Sequence, residues 1–125
     1  MRTRLICNCL RVAFLTALVA TTVLSLMPNA YDPTPHLWDK IKHFAAFFLL
    51  AALFDQGWPK QPTPMSKFLL LALYGLLVEC LQAFTPDRHF SLLDLAADAA
   101  GIATYAGAAV IIHSFAGGNA KTQSH

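Results

Sequence analysis

Long apolar runs interrupted by very few charges constrain this chain more than any other feature. Residues 12–27, 44–54, 68–78 and 99–112 contain no charged side chain. Only 13% of the 125 residues are charged, whereas a soluble domain carries about a quarter. The pattern predicts an all-α membrane protein built as one small domain.

The sequence predicts four transmembrane helices joined by proline-containing loops. We expect the first helix to be retained rather than cleaved, because proline stands in Pro28-Asn29-Ala30 where a signal peptidase needs a small residue. The second has a fully apolar part, Phe44 to Phe54, that is too short to cross ~30 Å of hydrocarbon. Its polar beginning must therefore lie at membrane depth. The predicted ranges are Leu5 to Met27, Leu37 to Phe54 with an extension to Trp58, Ser66 or Lys67 to Phe84, and Leu92 to about His113.

The distribution of positive charge predicts the topology. With the N-terminus in the cytoplasm, six Lys and Arg residues fall inside and three fall outside, as the positive-inside rule requires. Residues 1–115 are predicted to form one four-helix transmembrane domain with both termini cytoplasmic, and residues 116–125 a flexible cytoplasmic tail. The inside residues are Arg2, Arg4, Arg11, Lys60, Lys67 and Lys121, and the outside residues are Lys40, Lys42 and Arg88.

In this topology the polar ends of the second, third and fourth helices lie at one membrane level. Glu79 precedes Phe84 by about 8 Å along its helix, and Asp98 follows Ser91 by about 10 Å. We expect a shared, outward-facing polar pocket. Carboxylates are costly in hydrocarbon, so those found within membrane helices usually have a function. The candidate pocket residues are Asp39, Lys40, His43, Glu79, Gln82, Arg88, Asp94 and Asp98.

Helix faces agree with a shared pocket. Asp98 continues along its face to Gly101 and Tyr105, and the adjoining small residues Ala99, Ala103 and Gly107 are predicted to allow close helix packing. Three pairs of candidates share a face through their spacing. These pairs are Asp39 with His43, Glu79 with Gln82, and Asp94 with Asp98.

The predicted pocket carries an excess of negative charge. Its four carboxylates face only two positive residues, Lys40 and Arg88, which leaves a formal charge of −2 if His43 is neutral. A low-dielectric site does not tolerate such an imbalance. Either a carboxyl is protonated, or His43 is protonated, or a cation or cationic ligand group binds. The first case suits acid–base chemistry or proton coupling, and the last suits ligand recognition.

Purely structural interpretations stand beside the functional one. Ser91 and Asp94 fit a capping box at the start of the fourth helix. Arg88 can serve only to neutralise a carboxylate. Asp39 and Lys40 can be headgroup-level anchors.

Other classes of site lack support in the sequence. Motifs for nucleotides and nucleic acids are absent. A metal site at His43 is chemically possible, but no HExxH or comparable spacing marks it, so the sequence predicts neither a metal nor a cofactor. Cys7, Cys9 and Cys80 do not form a disulfide framework.

Three ordered motifs resemble the VanZ-like family of small bacterial membrane proteins. The resemblance covers about residues 36–110 and implies a multi-pass protein of the bacterial plasma membrane. The founding member of the family is linked to resistance to the glycopeptide teicoplanin. The family pattern typically has asparagine where this chain has Asp98. The motifs are Asp39-Lys-Ile-Lys-His43-Phe-Ala-Ala-Phe47, Tyr74-Gly-Leu-Leu-Val-Glu79-Cys-Leu-Gln82-Ala-Phe84, and Arg88-His-Phe-Ser91-Leu-Leu-Asp94-Leu-Ala-Ala-Asp98-Ala-Ala-Gly101.

Three functional hypotheses follow. In the first, the pocket recognises an envelope ligand, either a lipid-linked cell-wall precursor or a glycopeptide antibiotic, and thereby influences antibiotic susceptibility. In the second, the chain is an intramembrane enzyme acting on a lipid head group. In the third, it is a proton-coupled transporter. The expected surroundings are the lipid bilayer, with a homo-oligomer or a partner protein as further possibilities.

Overall fold

The computed structural model describes residues 2–27, 36–60, 63–85 and 89–122, and gives only the backbone for residues 36–39 and 119–122. These residues form four helices: α1 (Arg2–Leu26), α2 (His36–Gly57), α3 (Pro64–Gln82) and α4 (Leu92–Thr122). The described part contains no β-strand. The predicted all-helical fold and its four helices are confirmed.

The helix ends lie within three residues of the predicted ones except at the end of α4. Helix α4 continues past His113 through Gly117-Gly118 to Thr122, because glycine disfavours a helix interior by only about 1 kcal/mol. Helix α2 ends at Gly57, within the predicted extension to Trp58, so Asp55 lies in the helix. Whether the segment from residue 116 is a flexible cytoplasmic tail stays a prediction.

Three helices are long and apolar enough to cross a membrane: α1, α3 and the Leu92–Gly118 part of α4. Helix α2 is long enough, at 22 residues, but charged residues occupy its first turns and Asp55 lies near its end. Large apolar side chains such as Val19, Leu73 and Ile111 face outward, and such a surface suits a lipid bilayer rather than water.

Helix α2 occupies the centre of the bundle. It contacts α1, α3 and α4, and its interface with α4 is the most extensive in the protein. Phe47, Leu50 and Ala51 on α2 are buried and pack with Leu71 of α3 and Ile102 of α4. The polar start of α2 is thereby held between α3 and α4.

Gly101 brings α2 and α4 close together. A Cβ atom at this position would lie 2.4 Å from the Phe44 carbonyl oxygen and 3.0 Å from the Phe48 nitrogen, so only glycine fits here. The predicted packing stripe of Ala99, Ala103 and Gly107 was wrong. Those three residues are exposed, because the contact face of α4 runs through Asp98, Gly101 and Tyr105. This is the inward face that the sequence predicted for Asp98.

Polar contacts at both ends of the bundle show that α1 runs antiparallel to α2 and parallel to α3. At one end, Arg11 near the start of α1 donates a hydrogen bond to the Gly57 carbonyl at the end of α2, 2.9 Å away. At the other end, the Gln82 amide nitrogen of α3 donates to the Ser25 carbonyl of α1 at 2.7 Å. The starts of α2 and α4 and the end of α3 therefore lie together, beside the end of α1.

Candidate functional site

His43 on α2 lies between two carboxylates of α4. Its Nδ1 atom is 2.8 Å from Asp98 Oδ1, and its Nε2 atom is 3.9 Å from Asp94 Oδ2. The two aspartates are one helical turn apart, so both face α2. The close approach at Gly101, one turn beyond Asp98, brings the imidazole within reach of both.

Glu79 on α3 joins this group through the start of α4. The backbone N–H of Ser91 donates to Glu79 Oε2 at 3.1 Å, and the Ser91 hydroxyl oxygen accepts from the backbone N–H of Asp94 at 3.2 Å. Ser91 thus caps the helix as predicted. In a capping box, however, the N3 side chain accepts from the N-cap N–H, and here Glu79 of a neighbouring helix takes that role. A carboxylate is also well placed at a helix N-terminus, where the helix dipole is positive.

Two carboxylate oxygens at the centre of the cluster have no partner among the described residues. Glu79 is 0% exposed and Asp98 is 1% exposed, yet Glu79 Oε1 and Asp98 Oδ2 accept no hydrogen bond in the structure. A buried polar atom without a partner costs about 1–3 kcal/mol, and more if it is charged. The site therefore calls for a proton, a cation or a hydrogen-bond donor from outside these side chains.

The other predicted pocket residues divide into three groups. Gln82 is buried, but its amide nitrogen binds the Ser25 carbonyl of α1 rather than facing the cluster. Lys40 is partly buried and, among the described side chains, makes no ion pair with the cluster carboxylates. The side chain of Asp39 and the whole of Arg88 lie outside the described residues.

A second polar cluster lies at the opposite end of the bundle, and the sequence reasoning missed it. Lys67 is fully buried and donates to the carboxylate and the backbone carbonyl of Asp55, at 3.3 Å and 3.2 Å, and to the Trp58 carbonyl. The Tyr105 hydroxyl donates to the other Asp55 oxygen at 2.8 Å. The sequence signal was Tyr105, which lies two turns beyond Asp98 on the inward face of α4. This cluster is internally satisfied and has a structural role.

The cluster of His43, Glu79, Asp94 and Asp98 is chemically different, because it has acceptor capacity left over. A carboxylate orients the imidazole to which it is hydrogen-bonded, and such an imidazole can accept or donate a proton. His43, Glu79 and Asp98 each offer one ligand atom, all within 4.8 Å of one another, so these three could hold a metal ion. Ser91 caps α4, which fits the structural role predicted for it.

Comparison with known proteins bears on the identity of the chain. No curated protein and no solved structure matches it. The model of the VanZ/LLP1 family matches residues 7–113, a range that starts in α1, ends in α4 and includes all four residues of the cluster. The resemblance found in the three sequence motifs is thereby confirmed. This helical membrane protein belongs to the VanZ/LLP1 family.

Proposed function

We propose that this chain binds the polar part of an envelope component, either a lipid-linked cell-wall precursor or a glycopeptide, at the cluster of His43, Glu79, Asp94 and Asp98. In this proposal the domain of residues 1–115 lies in the bacterial plasma membrane with both termini cytoplasmic, so that the cluster faces outward. Helix α2 is the fourth span. Its 22 residues cover about 33 Å, enough to cross the hydrocarbon.

One observation carries the proposal: two fully buried carboxylate oxygens, from different helices, are left without partners beside a histidine. Intramembrane ionisable groups are usually paired with one another or with a ligand. The bundle shows that pairing is achievable in this chain, because Lys67, Asp55 and Tyr105 satisfy one another at its other end. The contrast supports a role for the open cluster beyond stabilising the fold.

The depth of the cluster suits a ligand that reaches in from the membrane surface. Glu79 lies one turn from the end of α3 at Gln82, and Asp98 lies six residues after the start of α4 at Leu92, about 5 Å and 9 Å along the respective axes. His43 and Asp94 keep 11% and 19% side-chain exposure. A headgroup would therefore enter past His43 and Asp94 and reach the buried oxygens of Glu79 and Asp98.

An intramembrane enzyme acting on a lipid head group is the second candidate. The contact between His43 Nδ1 and Asp98 Oδ1, at 2.8 Å, favours it, because a carboxylate that fixes an imidazole is a recurring feature of general acid–base sites. No contact in the described part of the structure supports the transporter hypothesis in the same way. Between the two polar clusters the described core is apolar, with Phe47, Leu50 and Leu71 fully or almost fully buried.

The substitution Glu79→Gln separates the two candidates. Glutamine keeps an acceptor oxygen for the Ser91 N–H, so α4 stays capped while the charge is lost. Purified wild type and variant, reconstituted in lipid nanodiscs, would be titrated with a lipid-linked cell-wall precursor and with teicoplanin, and assayed for turnover of the precursor. Lys60→Gln, which removes an exposed charge at the other end of the bundle, is the matched control.

The outcomes are distinct. Loss of binding without turnover in either protein supports recognition, whereas retained binding with loss of turnover supports an enzyme. If Glu79→Gln behaves as Lys60→Gln in both assays, the cluster is not the functional site.

The proposed orientation has its own test. Cys80 is exposed next to Glu79, so in a variant that lacks Cys7 and Cys9 a membrane-impermeant maleimide should label it from the outer side. Labelling from the cytoplasmic side alone would refute the outward-facing site.

A further inference from the structure

We propose that His43, Glu79 and Asp98 together bind one divalent transition-metal ion of the zinc type. This inference rests on the proposed function in that it concerns the same site. It adds that a metal ion forms part of the surface to which the ligand binds. The three ligands come from three different helices, α2, α3 and α4.

The geometry is close to that of a three-ligand site. One nitrogen of His43, one oxygen of Glu79 and one oxygen of Asp98 lie within 4.8 Å of one another. Zinc binds histidine nitrogen and carboxylate oxygen at about 2.0–2.2 Å, so ligands at tetrahedral angles are roughly 3.4 Å apart. His43 Nδ1 and Asp98 Oδ1, at 2.8 Å, need to open slightly, and the Glu79 oxygen needs to approach by a small side-chain rotation.

The two unpartnered oxygens are an independent observation that points to a ligand. Glu79 Oε1 and Asp98 Oδ2 are buried and accept no hydrogen bond from any described group. Asp98 Oδ2 is packed against Gly75, where a Cβ atom would lie 3.0 Å from it and 3.2 Å from the Phe47 ring, so any larger residue at position 75 would crowd the carboxylate.

Charge balance favours a divalent cation. Glu79 and Asp98 contribute two negative charges when ionised, and a neutral His43 contributes none. Among the described side chains, no ion pair joins either carboxylate to a lysine or an arginine. One ion of charge +2 neutralises the three-ligand site, as buried charges require.

Neighbouring groups already orient the ligands as the outer shell of a metal site does. The Ser91 N–H fixes the second oxygen of Glu79 at 3.1 Å, and Asp94 lies 3.9 Å from the second ring nitrogen of His43. Metal-binding histidines commonly donate their other N–H to a carboxylate, and Asp94 Oδ2, although beyond hydrogen-bond distance, lies on that side of His43. The mixed nitrogen and oxygen donors suit zinc better than magnesium or calcium, which prefer oxygen ligands alone.

Three protein ligands leave a coordination position open on zinc. An oxygen of a lipid head group entering past Asp94 would complete the coordination. The ion would thus convert an acidic cluster, which repels phosphate, into a site that accepts it.

Zinc binding to the purified full-length chain tests the inference directly. The protein would carry a non-histidine affinity tag, be stripped of metal with a chelator in detergent, and be titrated with Zn²⁺ against a chromophoric chelator. Wild type should bind one equivalent, unaffected by excess Mg²⁺. Glu79→Gln and Asp98→Asn should each weaken binding by at least about tenfold, since even loss of outer-shell partners costs 10–100-fold.

His113→Gln is the control, because it removes an exposed imidazole of the same helix that lies about 22 Å along the axis from Asp98. It should bind Zn²⁺ as wild type does. Equal binding by wild type, Glu79→Gln and Asp98→Asn would overturn the inference and would assign the ion to other histidines or cysteines. Absence of stoichiometric binding by wild type would overturn it as well.

X-ray absorption spectroscopy of the zinc-loaded wild type gives a second test, which does not depend on whether any variant folds. A first shell of nitrogen and oxygen with one imidazole supports the site, and a sulfur ligand overturns it. The outcome is separable from that of the proposed function: if zinc does not bind but Glu79→Gln still abolishes binding of the lipid-linked precursor, only the metal inference fails.

Discussion

The close contact between α2 and α4 at Gly101 gives the sharpest prediction about how the site is held together. In Gly101→Ala the new Cβ atom would lie 2.4 Å from the Phe44 carbonyl oxygen, whereas carbon–oxygen contacts of this kind settle at about 3.3–3.6 Å. The helices must move apart by roughly 1 Å, and because the obstructing atoms belong to the backbone, no side-chain rotation relieves the clash. We expect the free energy of unfolding to fall by about 3 kcal/mol, the upper end of the usual range for overpacking.

Gly107→Ala is the matched control in the same helix. A Cβ atom there has no neighbour within 4 Å, so the change should be neutral or stabilising by up to about 1 kcal/mol through helix propensity. Denaturant unfolding of both variants in detergent micelles, followed by far-ultraviolet circular dichroism, provides the measurement. If Gly101→Ala is as stable as Gly107→Ala, the described packing of α2 against α4 is wrong.

Two further predictions concern the polar clusters and use the same unfolding measurement. Lys67→Met should lower the free energy of unfolding by up to about 3–5 kcal/mol, because it leaves the partly buried Asp55 without its cation. The exposed Lys60→Met should change it by less than about 0.5 kcal/mol, and similar losses in both would refute the ion pair. Glu79→Ala removes the acceptor of the Ser91 N–H and should destabilise the protein by about 1–3 kcal/mol. Glu79→Gln keeps that acceptor and should be clearly more stable than the alanine variant, and the reverse order would contradict the capping role.

The convergence of the polar helix ends could be predicted because it depends only on the order of the helices along the chain and on the helical repeat. Four antiparallel helices place the start of α2, the end of α3 and the start of α4 at one level. The spacing of Asp94 and Asp98 places both on one face. His43, Glu79 and the two aspartates therefore meet in the structure as the sequence reasoning expected.

Contacts that depend on helix rotation and exact ends could not be predicted. Gln82 shares a helix face with Glu79, yet its amide nitrogen donates to the Ser25 carbonyl at the end of α1. The acceptor is a backbone atom, so no side-chain pattern in α1 predicts the contact. Lys67 was predicted at the start of α3 and Asp55 in the extension of α2 to Trp58, but residue spacing alone does not show that side chains of two different helices meet. The three residues of the proposed ion site come from three different helices, so a short sequence motif could not have indicated them.

A double-mutant cycle on the affinity for the lipid-linked precursor tests the central claim most directly. The Kd would be measured in nanodiscs for wild type, Glu79→Gln, Asp98→Asn and the double variant. If one site on α3 and α4 binds the ligand, each single change weakens binding at least tenfold, and the double variant is little weaker than the worse single one. The coupling free energy then exceeds about 1 kcal/mol, within the range for residues that share a partner. Unchanged affinity in the single variants, or losses that simply add, would contradict a shared site.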